Sequence, residues 1–97
     1  MTELQEKRCG DILEHYGATA QRRQLVEECA ELIQAVAKYE RTKSETAYYN
    51  FIEELADVEI MLEQMKQTLT DRERDTLLRT ETVKINRQLQ RIARGEQ

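Results

Sequence analysis

Apolar residues recur along this chain at the three- and four-residue steps of an α-helix. The spacing predicts helices over residues 3–16, 20–41 and 45–69, and a fourth from the Thr70–Asp71 turn to about residue 94. The most regular apolar stripe belongs to the third helix and contains Tyr48, Phe51, Leu55, Val58, Leu62, Met65 and Leu69. We therefore expect an all-α fold, an antiparallel helical bundle of about four helices that is completed by oligomerisation.

The stripes of the other helices are less regular. The stripe of the second helix contains Leu25, Cys29, Leu32 and Val36, and it is widened by Val26, Ile33 and Ala37. The stripe of the fourth helix is narrower and contains Leu78, Ile85, Leu89 and Ile92, with Leu77 beside it. The first helix has only Leu4, Ile12 and Leu13. These stripes are the predicted core.

Capping residues mark the predicted helix ends. Glycine suits the position after a helix, and Ser, Thr and Asp suit the position before one. We expect the first and fourth helices to end at Gly17 and Gly95, and the later three helices to be capped by Thr19, by Ser44 and by Thr70 or Asp71.

The composition agrees with a small helical protein. The chain has 97 residues, three glycines and no proline, and we expect a single domain over residues 1–97. A monomer of this size buries only about 60–65% of the surface that its unfolded chain exposes. Long amphipathic helices with two usable faces find partners, so the sequence predicts a homo-oligomer.

The net charge of −4 argues against a nucleic-acid polymer as the main ligand. The basic residues crowd the C-terminal segment, where they are Arg72, Arg74, Arg79, Lys84, Arg87, Arg91 and Arg94. Two interpretations stay open for this run: a solvated helix face, or a contact surface for phosphates.

The sequence also predicts the cellular location of the protein. Cys9 and Cys29 are the only cysteines, and Cys29 occupies an apolar position at which a reduced cysteine acts as a small hydrophobe. No apolar run approaches the ~20 residues of a membrane span, and no segment resembles a signal peptide. We expect a cytoplasmic protein with no membrane association.

Two short acidic pairs carry the candidate chemistry. Glu28 and Glu31 are neighbours on one face of the second helix, and Glu54 and Asp57 repeat the spacing on the third. Antiparallel packing would bring the four carboxylates together, and their mutual repulsion would favour a bound cation. Oxygen ligands suit Mg²⁺, with Mn²⁺ as a possible substitute. A solvated acidic face is the competing interpretation, because glutamate-rich helices are common.

Other metals fit the sequence poorly. One histidine and two separated cysteines cannot form a structural zinc site. A di-iron site in a helical bundle uses Glu-x-x-His motifs, and neither acidic pair contains a histidine.

The double motif, Glu28-x-x-Glu31 followed after 22 residues by Glu54-x-x-Asp57, resembles the signature of the MazG-like all-α NTP pyrophosphohydrolases. The resemblance covers about residues 12–92. It implies a helical bundle that assembles as a homodimer or homotetramer. It also implies hydrolysis of (d)NTP to (d)NMP and pyrophosphate in nucleotide-pool house-cleaning, with attack at the α-phosphorus.

The resemblance also assigns roles to residues. It implies that Glu28, Glu31, Glu54 and Asp57 are the Mg²⁺ ligands, and these four with Glu27 are the candidate catalytic residues. Glu27 corresponds to the leading glutamate of the motif, although it points about 100° away from Glu28 around the helix. Lys84 and Asn86 resemble the family's substrate-binding positions, and they lie on nearly opposite sides of the fourth helix.

The nucleobase preference cannot be predicted from the sequence. Gln21 and Gln24 precede the first acidic pair, and Tyr48, Tyr49 and Phe51 precede the second. Gln can bind a base edge and aromatic rings can stack on a base, but core packing is the better interpretation of Tyr48 and Phe51. A non-catalytic helical module, which docks a basic partner or senses nucleotides without cleaving them, is the alternative function.

Overall fold

The computed structural model describes residues 1–95 and contains four α-helices. They are α1 (Glu3–Tyr16), α2 (Ala18–Thr42), α3 (Glu45–Gln67) and α4 (Asp71–Ala93). This confirms the all-α fold class, and every predicted helix is present. One residue links α1 to α2, two residues link α2 to α3, and three residues link α3 to α4.

Local side-chain hydrogen bonds explain where three of the helices begin. Ser44 accepts a bond from the backbone N–H of Ala47 at 3.1 Å, as predicted. Thr70 accepts from the N–H of Glu73 at 3.2 Å, and the Glu73 carboxylate accepts from the N–H of Thr70 at 2.9 Å. Thr2 and Gln5 form the same reciprocal capping box at the start of α1.

The predicted cap of α2 is wrong. The helix begins at Ala18, so Thr19 lies inside it and its hydroxyl accepts a bond from Arg22 instead. Gly17 occupies the cap position with φ +87° and offers no side-chain cap. A residue with a side chain rarely adopts this backbone conformation, so Gly17 allows two helices to be joined by a single residue.

The helices α2 and α3 form an antiparallel hairpin. At one end, buried Gln21 donates from Nε2 to Oε1 of buried Gln64 at 2.8 Å. At the other end, the rings of Tyr39 and Tyr48 lie 5.2 Å apart, centroid to centroid. These two contacts fix the register, so that the first turns of α2 face the last turns of α3.

The short helix α1 packs across the Gln21–Gln64 end of this hairpin. Its Cys9 is buried, and Gln67 of α3 donates from Nε2 to the backbone oxygen of Glu6 at 2.8 Å. Gly10 lies against the same glutamine, because a Cβ there would be 2.7 Å from Gln67 Oε1. Both cysteines are free.

The faces that pack inside the hairpin agree only in part with the predicted stripes, of which Val58 is buried and Cys29, Leu32, Phe51 and Met65 are half-buried. The buried residues are Gln21 and Ala35 on α2, and Ala47, Val58, Met61 and Gln64 on α3. Val26 and Ile33 are each 69% exposed, and Tyr48, Leu55 and Leu62 of the predicted stripe are also exposed. The prediction failed for these exposed residues because it ranked faces by apolar content, whereas the inner face also contains Gln21 and Gln64, which bond to each other.

The fourth helix contributes no buried residue to the structure. Arg74 donates from Nε to the backbone oxygen of Lys66 at 3.2 Å, and Leu77 is half-buried, so only the first turns contact the rest of the chain. The radius of gyration is 16.5 Å, against about 12.5 Å for a compact domain of this length. Among the helices of residues 1–95, none has the length and apolar character that a bilayer crossing requires.

Candidate metal centre

The acidic pairs of α2 and α3 meet in the middle of the hairpin, between the glutamine pair and the tyrosines. The antiparallel register carries Glu28 opposite the segment that holds Glu54 and Asp57. One carboxylate oxygen from each of these three residues lies within 4.8 Å of one from each of the other two. Glu28 and Glu54 are half-buried, and Asp57 is exposed at the edge.

Glu31 is the fourth member of this acidic cluster. Its side chain is exposed, one turn further along α2. The negative charge of Glu28, and next that of Glu54, raises the pKa of Glu31 above its usual value. The structure therefore brings Glu28, Glu54 and Asp57 together, as antiparallel pairing predicts, whereas Glu31 lies beside Glu28 and Glu54 and outside this group of three.

Two carboxylate oxygens in the cluster are buried without a hydrogen-bond partner. They are Oε2 of Glu28 and Oε2 of Glu54. Burial of an anionic oxygen without a donor or a cation is costly. Oxygen-only ligands from glutamate and aspartate suit a hard divalent ion, and the two unpartnered oxygens give such an ion direct ligands. The residues present therefore fit Mg²⁺ or Mn²⁺.

The other oxygen of Glu28 is held by a residue to which the sequence assigned a different role. Gln24 donates from Nε2 to Oε1 of Glu28 at 2.9 Å. This bond limits the rotation of the carboxylate and leaves Oε2 for the cluster. The four-residue spacing of Gln24 and Glu28 on one helix was the signal that could have predicted it.

The ion pairs that the structure describes do not involve the acidic cluster. The ion pairs within residues 1–95 join residues three or four apart, and they are Lys7–Asp11, Lys43–Glu40 and Arg79–Asp75. None of them includes a cluster acid. Repulsion among these carboxylates favours a bound cation, or a proton on Glu31, whose pKa is raised.

The remaining candidate residues lie outside this cluster. Glu27 is exposed and points about 100° away from Glu28 around α2. Lys84 and Asn86 lie on α4, which does not pack along α2 or α3. Lys84 lines a shallow surface groove with Arg79, Thr80, Val83 and Arg87.

The residues considered for base binding make contacts within the protein instead. Gln21 is buried and bonded to Gln64, so its amide is not available to a nucleobase. Tyr48 packs against Tyr39, Tyr49 and Phe51, with ring centroids 5.2, 6.2 and 6.0 Å from its own.

A comparison of the chain with protein-family models, with curated proteins and with solved structures finds no match to any of them.

Proposed function

We propose that this protein is a Mg²⁺-dependent nucleoside triphosphate pyrophosphohydrolase, which cleaves (d)NTP to (d)NMP and pyrophosphate. The observation that supports this most is the convergence of Glu28, Glu54 and Asp57 from two antiparallel helices, with Glu31 beside them and two buried carboxylate oxygens unpartnered. The MazG-like double motif contributes the reaction type.

The residue types suit this reaction. A triphosphate carries about four negative charges near neutral pH, so an acidic site can bind it only through cations. Bound Mg²⁺ would neutralise the phosphates, orient the in-line attack and lower the pKa of a coordinated water. Glu28, Glu54 and Asp57 are close enough together to hold an ion jointly.

A side chain of the protein must also accept the proton that the attacking water releases. Water adds to the α-phosphorus, the bond to the bridging oxygen breaks, pyrophosphate leaves, and a nearby carboxylate takes the proton of the water. Glu31 is the candidate base because it belongs to the cluster and remains exposed. Glu27 points elsewhere and is assigned no proton transfer.

We place this activity in the cytoplasm and in a homo-oligomer, a homodimer or homotetramer. Nucleotide-pool house-cleaning is the corresponding role. The described contacts assign no residue to the nucleobase, so the proposal extends to the triphosphate and not to a particular base.

A nucleotide panel incubated with Mg²⁺ tests the proposal, with separate assays for pyrophosphate and orthophosphate. We expect pyrophosphate and the nucleoside monophosphate in equal amounts. The Glu54→Gln variant should lower turnover about 100-fold or more. Mutation of a residue that only hydrogen-bonds to a metal ligand already lowers metal affinity or activity 10- to 100-fold. The matched control is Glu53→Gln, which removes the same charge from an exposed neighbour outside the cluster.

Orthophosphate release alone, or full activity in Glu54→Gln, would contradict the proposal. Nucleotide binding without turnover would favour the sensing module, and binding of neither metal nor nucleotide would favour the docking module.

A further inference from the structure

One side of the α2–α3 hairpin is apolar and uncovered. On α2 the exposed apolar residues are Val26, Ile33 and Val36, and on α3 they are Ile52, Leu55 and Leu62. Each set is rotated by about 120°, in the same sense, from the buried face of its own helix. Because the two helices run in opposite directions, equal rotations bring both sets to the same side. We call these six residues the apolar side of the hairpin.

The helix α1 does not cover this side. Its Cys9 and Ile12 line a groove together with Ile60 of α3. Ile60 lies about 150° around α3 from Leu55 and Leu62. The first helix therefore packs on the opposite side, and the apolar side has no partner within the described chain.

The fourth helix has a matching uncovered face. Leu78, Ile85, Leu89 and Ile92 form its apolar stripe, and each of them is more than half exposed. We call these four residues the α4 stripe. Isolated helices of this length gain little stability from propensity alone, because most helical stability comes from packing an apolar face. We therefore expect the α4 stripe, on a helix of 23 residues, to pack against a partner.

The surface area indicates the size of that contact. The chain exposes 7810 Å², whereas a folded monomer of its mass exposes about 5,800 Å². The excess of about 2,000 Å² is more than twice the ~800 Å² that each partner buries in a standard interface, and it falls in the range of obligate homodimers. A second copy of this chain supplies both uncovered faces at once.

We propose that α4 is an exchanged arm, whose stripe packs on the apolar side of the hairpin in a second copy of this chain, and reciprocally. The resulting assembly is a symmetric dimer in which each protomer completes the core of the other. This inference needs no catalytic activity, so it stands or fails independently of the proposed hydrolysis.

The charge distribution favours the same partner. Residues 79–94 contain four arginines, one lysine and a single glutamate, whereas the chain as a whole has a net charge of −4. The rest of the molecule is therefore strongly acidic, and the exchanged arm places a basic helix on the acidic body of the partner. Electrostatic attraction of this kind steers encounter and favours a defined orientation.

Light scattering of the full chain at increasing concentration tests the proposal. We expect twice the chain mass of 11.5 kDa at micromolar concentration. The variants Ile85→Glu and Ile33→Glu, one on each face, should each shift the mass toward the monomer. The matched control is Val83→Glu, which adds the same charge to an exposed apolar residue about 160° around α4 from Ile85.

Three outcomes would overturn the proposal. They are a monomer at every concentration, a dimer that survives Ile85→Glu, and a dimer that Val83→Glu disrupts as strongly as Ile85→Glu does. If the glutamate variants lose their helical circular dichroism, the dimer Kd is measured instead for the milder variant Ile85→Ala. A roughly tenfold or larger increase in Kd supports the arm, and an unchanged Kd overturns it.

Discussion

The two carboxylate oxygens of Glu28 have different surroundings. Oε1 accepts a hydrogen bond from Gln24, and Oε2 is buried beside the other acids without a partner. The sequence predicted the meeting of the acids, since the spacing of Glu28 and Glu31 and the helix direction were enough. The bond from Gln24 was missed: the four-residue spacing allows it, but whether it forms depends on the side-chain rotamers.

Replacing Gln24 with leucine should weaken metal binding while the helices stay intact. The change removes the donor that fixes Glu28, so the carboxylate must be ordered when the ion binds. We expect a 10- to 100-fold loss of Mn²⁺ affinity, the usual effect of removing a partner of a metal ligand. Titration with Mn²⁺ followed by electron paramagnetic resonance measures it. Gln34→Leu, on the exposed part of the same helix, is the control and should leave the affinity unchanged.

Glu31→Gln should stabilise the metal-free protein at neutral pH. The neighbouring carboxylates raise the pKa of Glu31 in the folded state, so folding is penalised once this group ionises. The penalty is absent below the usual glutamate pKa of about 4.3 and grows as the pH rises through the higher folded-state pKa. Melting curves in chelator should therefore show a higher Tm for the variant at pH 7 and equal Tm values near pH 3.

The control for that experiment is Glu27→Gln, which removes an equal charge from α2 outside the cluster. A similar gain in Tm for both variants would show that the net charge of the chain, and not the local repulsion, causes the effect.

At the scale of the elements, the hairpin shows what periodicity can and cannot predict. The predicted bounds of α3 agree with the structure at its start, and Ser44 caps it as expected. The buried face was predicted only in part: Val58 is buried and Phe51 and Met65 are half-buried, whereas the inner face also contains polar residues that the apolar pattern did not indicate. Gln64 is only 1% exposed, and it is accommodated because Gln21 bonds to it across the hairpin. A single sequence does not show which polar residues will pair.

Because Gln21 and Gln64 bond to each other, we expect the single and double variants of this pair to differ in their free energy of unfolding. Gln64→Leu leaves the Gln21 amide buried without its acceptor, and we expect a loss of about 1–3 kcal/mol in the free energy of unfolding. The double variant Gln21→Leu/Gln64→Leu removes both partners and should recover most of that loss. Urea denaturation followed by circular dichroism measures both. Independent, additive losses would contradict the pairing of the two side chains.

At the scale of the whole molecule, the acidic cluster should link metal binding to stability. An ion that binds only the folded chain stabilises it by RT ln(1 + [L]/Kd), about 2.7 kcal/mol at a hundred times Kd. We therefore expect the Tm to rise when millimolar Mg²⁺ is added. Glu54→Gln should lose most of this rise while Glu53→Gln keeps it. An equal rise in all three proteins would point to general ionic screening.

The short links between the helices have a consequence for how the chain folds. One residue joins α1 to α2 and two join α2 to α3, so the helix contacts of this part form between segments that adjoin along the chain. Topologies dominated by such local pairings cross their folding barrier in microseconds to milliseconds. The hairpin should therefore form early and at a rate that is independent of protein concentration.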